Sequence, residues 1–100
     1  MLTSKQRAYL RGLANREDAV VSIGKESLTA ENTMSIDEAL AARELVKVAV
    51  LKNCDGDIPE IAETAAGRTR SEVVQVIGRK FVLYRPGKDK KKKITLPPAH

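Results

Sequence analysis

The sequence predicts an α/β fold: one compact single domain in the order α-β-α-β-α-β-β, with a mixed four-stranded sheet and helices packed on it. Three observations carry that expectation. Residues 73–86, VVQVIGRKFVLYRP, place Val74, Val76, Phe81 and Leu83 at period two around Gly78-Arg79-Lys80, the pattern of a hairpin. Two earlier apolar runs, AVVSI and LVKVAVL, are each followed by a turn and then by apolar residues at helical spacing. Finally, 100 residues allow one modest core, and 3% aromatic content makes that core aliphatic.

In chain order, Thr3 is placed to cap a first helix over residues 4–14, with Gln6, Tyr9, Leu10 and Leu13 on its inner arc. Arg7 and Arg11, four apart, then share the wet side. Residues 15–18 break the helix, and residues 19–23 form a short buried strand ending at Gly24. Two signals compete for the second helix: Thr29 as a cap, and the box-like Ser35-Ile36-Asp37-Glu38. The earlier start keeps Thr33, Ile36, Ala39, Leu40 and Arg43 in phase and is preferred. Val46, Val48 and Val50 alternate with Leu45, Lys47 and Ala49 in a second strand over residues 45–51. Asp57-Ile58-Pro59-Glu60 supplies a cap, an early proline and an acid for a third helix, and Gly67 is the expected stop. At the closing hairpin, Gly78 can take the positive φ that a tight reversal needs.

Charge is unevenly distributed. Residues 85–93 carry six bases and one acid, which equals the whole net charge of +5, so residues 1–84 balance overall. Those residues are nevertheless polarised. Residues 1–25 hold five bases and two acids, residues 26–67 three and nine, and residues 68–84 four and one. A body with a basic and an acidic side can orient on a phosphate backbone. The single cysteine, Cys54, excludes an internal disulfide and suits a reducing cytosol. No apolar run reaches membrane-span length, and the N-terminus does not read as a signal peptide, so a cytoplasmic protein is expected, with no membrane partner. No metal shell is expected: Cys54 has no second thiol nearby, and the one histidine is the final residue. No nucleophile–base pair or convergent carboxylate set can be assembled, so neither catalytic residues, nor a cofactor, nor a small-molecule substrate is expected.

The ordered set Leu2-Thr3-Ser4-Lys5-Gln6-Arg7, Val21-Ser22-Ile23-Gly24-Lys25-Glu26-Ser27-Leu28-Thr29, Glu44-Leu45-Val46-Lys47-Val48 and Val76-Ile77-Gly78-Arg79-Lys80-Phe81-Val82-Leu83-Tyr84-Arg85-Pro86 resembles the YhbY-type CRM domain (chloroplast RNA splicing and ribosome maturation). The similarity spans nearly the whole chain. It implies a fold similar to the C-terminal domain of translation initiation factor three, and it implies RNA binding. Stand-alone bacterial members associate with precursors of the large ribosomal subunit, and plant organellar relatives act in intron splicing. The family carries a GxxG loop between the first strand and second helix. Here it reads Gly24-Lys25-Glu26-Ser27, with serine at the second glycine and an acid inside. Glycine lets a backbone approach phosphate closely, and the following helix offers free N–H groups.

The expected RNA contacts are Gly24, Lys25, Ser27 and Thr29 at the loop and helix start, with Lys5, Arg7 and Arg11 of the first helix beside them. Arg79 and Lys80 at the hairpin tip and Arg85 at its exit extend the set, although Arg79 and Lys80 equally suit a polar turn. Lys90, Lys91, Lys92 and Lys93 complete it as an electrostatic anchor. Residues 1–87 are read as the RNA-binding domain and residues 88–100 as a mobile lysine-rich tail in which Ile94-Thr95-Leu96 could still dock. Tyr9 and Tyr84 are read as core or sheet-edge residues in preference to base-stacking ones. The partner is expected to be ribosomal RNA in pre-large-subunit particles, with ribosomal proteins as further partners. The alternative is a protein-interaction adaptor whose acidic second and third helices dock on a ribosomal protein or assembly factor.

Overall fold

The computed structural model describes residues 2–87 and 94–98. Its elements are α1 (Ser4–Ala14), β1 (Ala19–Ile23), α2 (Ala30–Arg43), β2 (Leu45–Val50), α3 (Ile58–Thr69), β3 (Glu72–Ile77) and β4 (Lys80–Tyr84). The order and architecture are those the sequence predicts. The helix starts follow from side-chain caps. Thr3 Oγ1 accepts the Gln6 N–H while Gln6 Oε1 accepts the Thr3 N–H, both at 3.1 Å. Thr29 and Asn32 repeat the exchange at 3.0 and 3.1 Å, which settles the early start of α2. Asp57 Oδ2 accepts the Glu60 N–H at 3.1 Å, with proline in the first turn.

The third helix runs past the expected stop at Gly67. Thr69, 1% exposed, is buried in the core and donates its hydroxyl to Ala65 O at 2.7 Å, and the helix continues two residues beyond Gly67. Arg70 then takes the left-handed conformation that ends it (φ 55°).

Strand order is β1-β2-β4-β3, with β1 and β2 parallel and β4 antiparallel to both neighbours. Phe81, Val82, Leu83 and Tyr84 are all buried, because β4 lies inside the sheet with helices over both faces. Phe81 and Leu83 join Val46, Val48, Val50, Ile36, Leu40 and Ile61 in the core beneath α2 and α3. Val82 and Tyr84 join Leu10, Ala14, Leu45 and Val74 beneath α1. The period-two expectation fails at one residue: Val74 faces α1 and not the side of Phe81 and Leu83. A register shift between Val73 and Gln75 turns it over, as a bulge does.

Two expectations for α1 are also corrected. Tyr9, expected inside, is 43% exposed, because Leu10 and Ala14 occupy the centre of the buried face and Tyr9 falls on its flank. Arg7, expected on the wet side with Arg11, is half-buried and donates from Nη1 to Val73 O on the β3 edge.

Ile94 and Leu96 pack against the core beneath α1, and Gln6 Nε2 donates to Pro97 O at 3.0 Å. The lysine run expected to be mobile lies outside the described residues. Glu44 holds both flanks of it: Oε2 accepts the Gly87 N–H at 3.0 Å and Oε1 the Ile94 N–H at 2.9 Å. Glu44 is 1% exposed and is the single residue joining α2 to β2, at φ 68°. Its own N–H donates to Leu40 O and its carbonyl accepts the Arg85 N–H.

Two expectations follow. Glu44→Ala removes the acceptor of two half-buried amides and should cost about 1–3 kcal/mol in urea unfolding. Burial, and secondarily the Glu44 carboxylate, raises the pKa of Tyr84 above its ordinary 10.0. The folded state therefore holds that proton more tightly than the unfolded chain. The corresponding stability is complete below pH 10 and is lost as pH rises through the folded pKa, and Tyr84→Phe should remove this part of the alkaline loss.

Candidate nucleic-acid interface

Three loops meet at one end of the sheet. Leu51 N donates to Ile23 O at 2.8 Å, joining the ends of β1 and β2, and Val50 N donates to Arg79 O at 2.7 Å, joining β2 to the hairpin tip. Arg79 then closes the junction. Its Nε donates to Val50 O at 3.0 Å, and its Nη2 to Leu51 O at 2.5 Å and Cys54 O at 3.2 Å. Val50, Leu51 and Cys54 are thereby tied to neighbouring loops, and the guanidinium is occupied by carbonyls. Gly78, at φ 57°, permits the reversal that puts Arg79 there.

The 24–27 loop is closed by the Ser27 N–H on Gly24 O at 2.9 Å. The left-handed position falls on Ser27, at φ 60°, where the family pattern has its second glycine. Gly24 needs no such freedom; a side-chain Cβ there would meet Asn53 Oδ1 at an ordinary 3.7 Å. The Ser27 hydroxyl lies on the side of Gly56, where a Cβ on that glycine would meet it at 3.3 Å. Lys25 and Glu26 are left exposed at the crown. Thr29, expected at phosphate, has its Oγ1 on the Asn32 N–H and its carbonyl on Thr33.

The sheet face beneath α1 is only partly covered. Register places Ser22 with Ala49, Ala49 with Lys80, and Ile77 with Lys80, all on the α1 side. Ser22 and Lys80 are exposed and Ile77 is 59% exposed, so this half of the face is open to solvent. Lys47, half-buried, stands on the same face between Leu45 and Ala49. It continues into the loop end through Lys25, which follows β1, and Lys52, which follows β2. Among the described residues no hydrogen bond or ion pair engages the side chains of Lys25, Lys47, Lys52 or Lys80.

The two sides of the sheet differ in sign. On one side α1 carries Lys5, Arg7 and Arg11 with no acid, and the open face adds Lys47 and Lys80. On the other, α2 carries Glu31, Asp37 and Glu38, and α3 carries Glu60 and Glu63, against Arg43 and Arg68 near their C-terminal ends.

Of the residues singled out from sequence, Gly24, Lys25, Ser27, Arg79 and Lys80 share the loop end, with Arg79 as its brace. Lys5 and Arg11 are exposed on α1. Arg7 is at the β3 edge, lining a hollow with Glu63 and Glu72. Arg85 turns to the acidic side: it pairs with Asp37 Oδ1 at 2.6 Å and donates to Thr69 O and Asp37 O at 2.8 and 3.0 Å. Lys90, Lys91, Lys92 and Lys93 lie outside the described residues. Lys47 and Lys52 were missed. Both lie in the segment with three bases and nine acids, where charge counting hides them, although strand alternation alone sets Lys47 opposite the valines.

Comparison with known proteins agrees with this architecture. The CRS1 / YhbY (CRM) domain model matches residues 2–85. A Bacillus subtilis (strain 168) protein named "Probable RNA-binding protein YqeI" is 42% identical over 97 residues, covering 97% of this chain and 100% of its own. A Haemophilus influenzae protein named "RNA-binding protein" is 38% identical over 97 residues, covering 96% of this chain and 95% of its own. The solution structure of SAV1595 from Staphylococcus aureus superposes with a TM-score of 0.82 at 48% identity, over 97% of this chain and 100% of that one. The chain belongs to the CRS1 / YhbY (CRM) domain family.

Because Ser27 occupies a left-handed conformation that side chains disfavour, Ser27→Gly should raise unfolding free energy by about 0.5–1 kcal/mol, measured in urea.

Proposed function

We propose that this protein is a non-catalytic RNA-binding module of the cytoplasm that holds ribosomal RNA during assembly of the large subunit, using the α1 side of its sheet. The observation that carries this reading is the separation of charge across the sheet: lysines without a partner among the described residues on one side, and helix carboxylates on the other. The names of the relatives point to the same class of ligand, and the family resemblance supplies the ribosomal context.

The mode of recognition follows from the residue types. Lys25, Lys47, Lys52 and Lys80 are point charges on flexible stems, suited to phosphates and poor at fixing the edge of a base. The binding is therefore to backbone and shape, as expected for structured RNA. Four such contacts on a duplex give a salt slope of about −3.6, so affinity falls on the order of 10²-fold between 50 and 200 mM salt. Arg79 and Arg85 have structural roles in this scheme: one sets the loops and the other ties the β4 exit to α2.

The test is binding of a large-subunit RNA fragment, and of an unrelated structured RNA of equal length, across salt. Lys47→Gln/Lys80→Gln should weaken binding and flatten the slope by about two, whereas Arg68→Gln on the acidic side should leave both unchanged. Tighter binding of the ribosomal fragment supports the ribosomal assignment; equal affinity for the two RNAs contradicts it. If the lysine changes have no effect while a protein partner is still retained in pull-downs, the adaptor reading replaces this one.

A further inference from the structure

At the end of β2 opposite the 24–27 loop there is a concavity of about 450 Å³, a size in the range of small-ligand sites. Leu13, Leu45 and Ile94 line it, so part of its surface is apolar. Tyr9 stands at it, 43% exposed, whereas the other aromatic residues, Phe81 and Tyr84, are 0% and 4% exposed. Arg16 and Arg43 also line it. Among the described residues neither guanidinium has a hydrogen-bond or ion-pair partner.

We propose that this concavity receives an unpaired nucleotide of the bound RNA, its base stacked on Tyr9 and its flanking phosphates met by Arg16 and Arg43. The inference rests on the RNA-binding reading above and adds a second kind of contact to it. Three features select this occupant. An exposed aromatic ring beside apolar side chains offers a stacking platform that any base can use. The cations here are arginines, which present flat, forked donors to phosphate, in contrast to the lysines of the open face. Glu17 also lines the concavity. A carboxylate disfavours a bare anion there, but it can accept from the amino edge of a base.

The position suits one continuous strand. Leu45 and Val50 bound β2, a separation of about 17 Å at ~3.3 Å per residue, and Lys47 lies between them on the open face. RNA held by lysines at the loop end would pass Lys47 and reach Tyr9 with an unpaired residue. A paired helix could use the lysines but could not place a base in the concavity.

The experiment compares a labelled single-stranded octaribonucleotide with a fully paired duplex of equal length, by anisotropy, for the full chain and its variants. Tyr9→Ala should weaken single-strand binding about tenfold and leave duplex binding unchanged, while Tyr9→Phe, which keeps the ring, retains both affinities. Arg43→Gln should flatten the single-strand salt slope by about 0.7. Because Trp is absent and Tyr84 is buried, quenching of the exposed tyrosine emission by the single strand, lost in Tyr9→Phe, reports stacking directly. If Tyr9→Ala and Arg43→Gln change nothing while Lys25→Gln/Lys80→Gln weakens binding, the base site is wrong and the RNA-binding reading stands. If the unaltered chain binds neither nucleic acid, both fail. Equal losses on duplex and single strand overturn the claim that the base is unpaired.

Discussion

Burial of β4 on both faces is the constraint on which the rest of this structure depends. Phe81 and Leu83 point one way and Val82 and Tyr84 the other, and all four are covered. A strand in that position needs a helix layer on each side, because an aliphatic surface left in water would forfeit roughly 25 cal/mol for every Å². The chain meets the requirement with α2 and α3 over one face and α1 over the other. One helix cannot cover four strands, and the part of the face beyond α1, around Ser22, Ala49, Lys80 and Ile77, stays open. The asymmetry of two helices against one creates the surface to which function is assigned here.

The cationic side chains divide into two groups by what they touch. Arg7, Arg79 and Arg85 donate to backbone carbonyls, and each joins segments far apart in sequence: α1 to the β3 edge, the hairpin tip to the β2–α3 loop, and the β4 exit to α2 and α3. A planar guanidinium with several fixed donors suits such bracing. Among the described residues Lys25, Lys47, Lys52 and Lys80 brace nothing, which leaves them for an external anion. Glu44 does the complementary work for anions inside the fold. Its carboxylate accepts amides on both flanks of the lysine run, so Ile94 and Leu96 are held where they extend the core beneath α1.

Much of the fold was legible because it is encoded locally. Thr3, Thr29 and Asp57 announce helix starts within four residues, and the alternation of Val46, Val48 and Val50 announces a buried strand face. What escaped depends on partners distant in sequence. A bulge between Val73 and Gln75 inverts Val74, and no period in the sequence marks it. Arg79 and Arg85 read as basic residues at a turn and its exit, but their partners lie 16 to 48 residues away. Tyr9 read as inward because it shares an arc with Leu10 and Leu13, and only the placement of the helix on the sheet leaves it outside. For the candidate site, charge polarity was legible as a difference between segments. Lys47 and Lys52 were not, since five of the nine acids in their segment sit on α2 and α3 and mask them in a charge count.

The central claim is that RNA meets the α1 side of the sheet and not the acidic helix layer. Amide chemical-shift mapping during titration with structured ribosomal RNA tests it most directly. The account predicts shifts concentrated at residues 24–27, Ser22, Lys47, Lys52, Lys80 and the exposed side of α1, with the acidic residues of α2 and α3 beyond their first turns unmoved. Shifts concentrated on Asp37, Glu38, Glu60 and Glu63, with Lys47 and Lys80 silent, would contradict it.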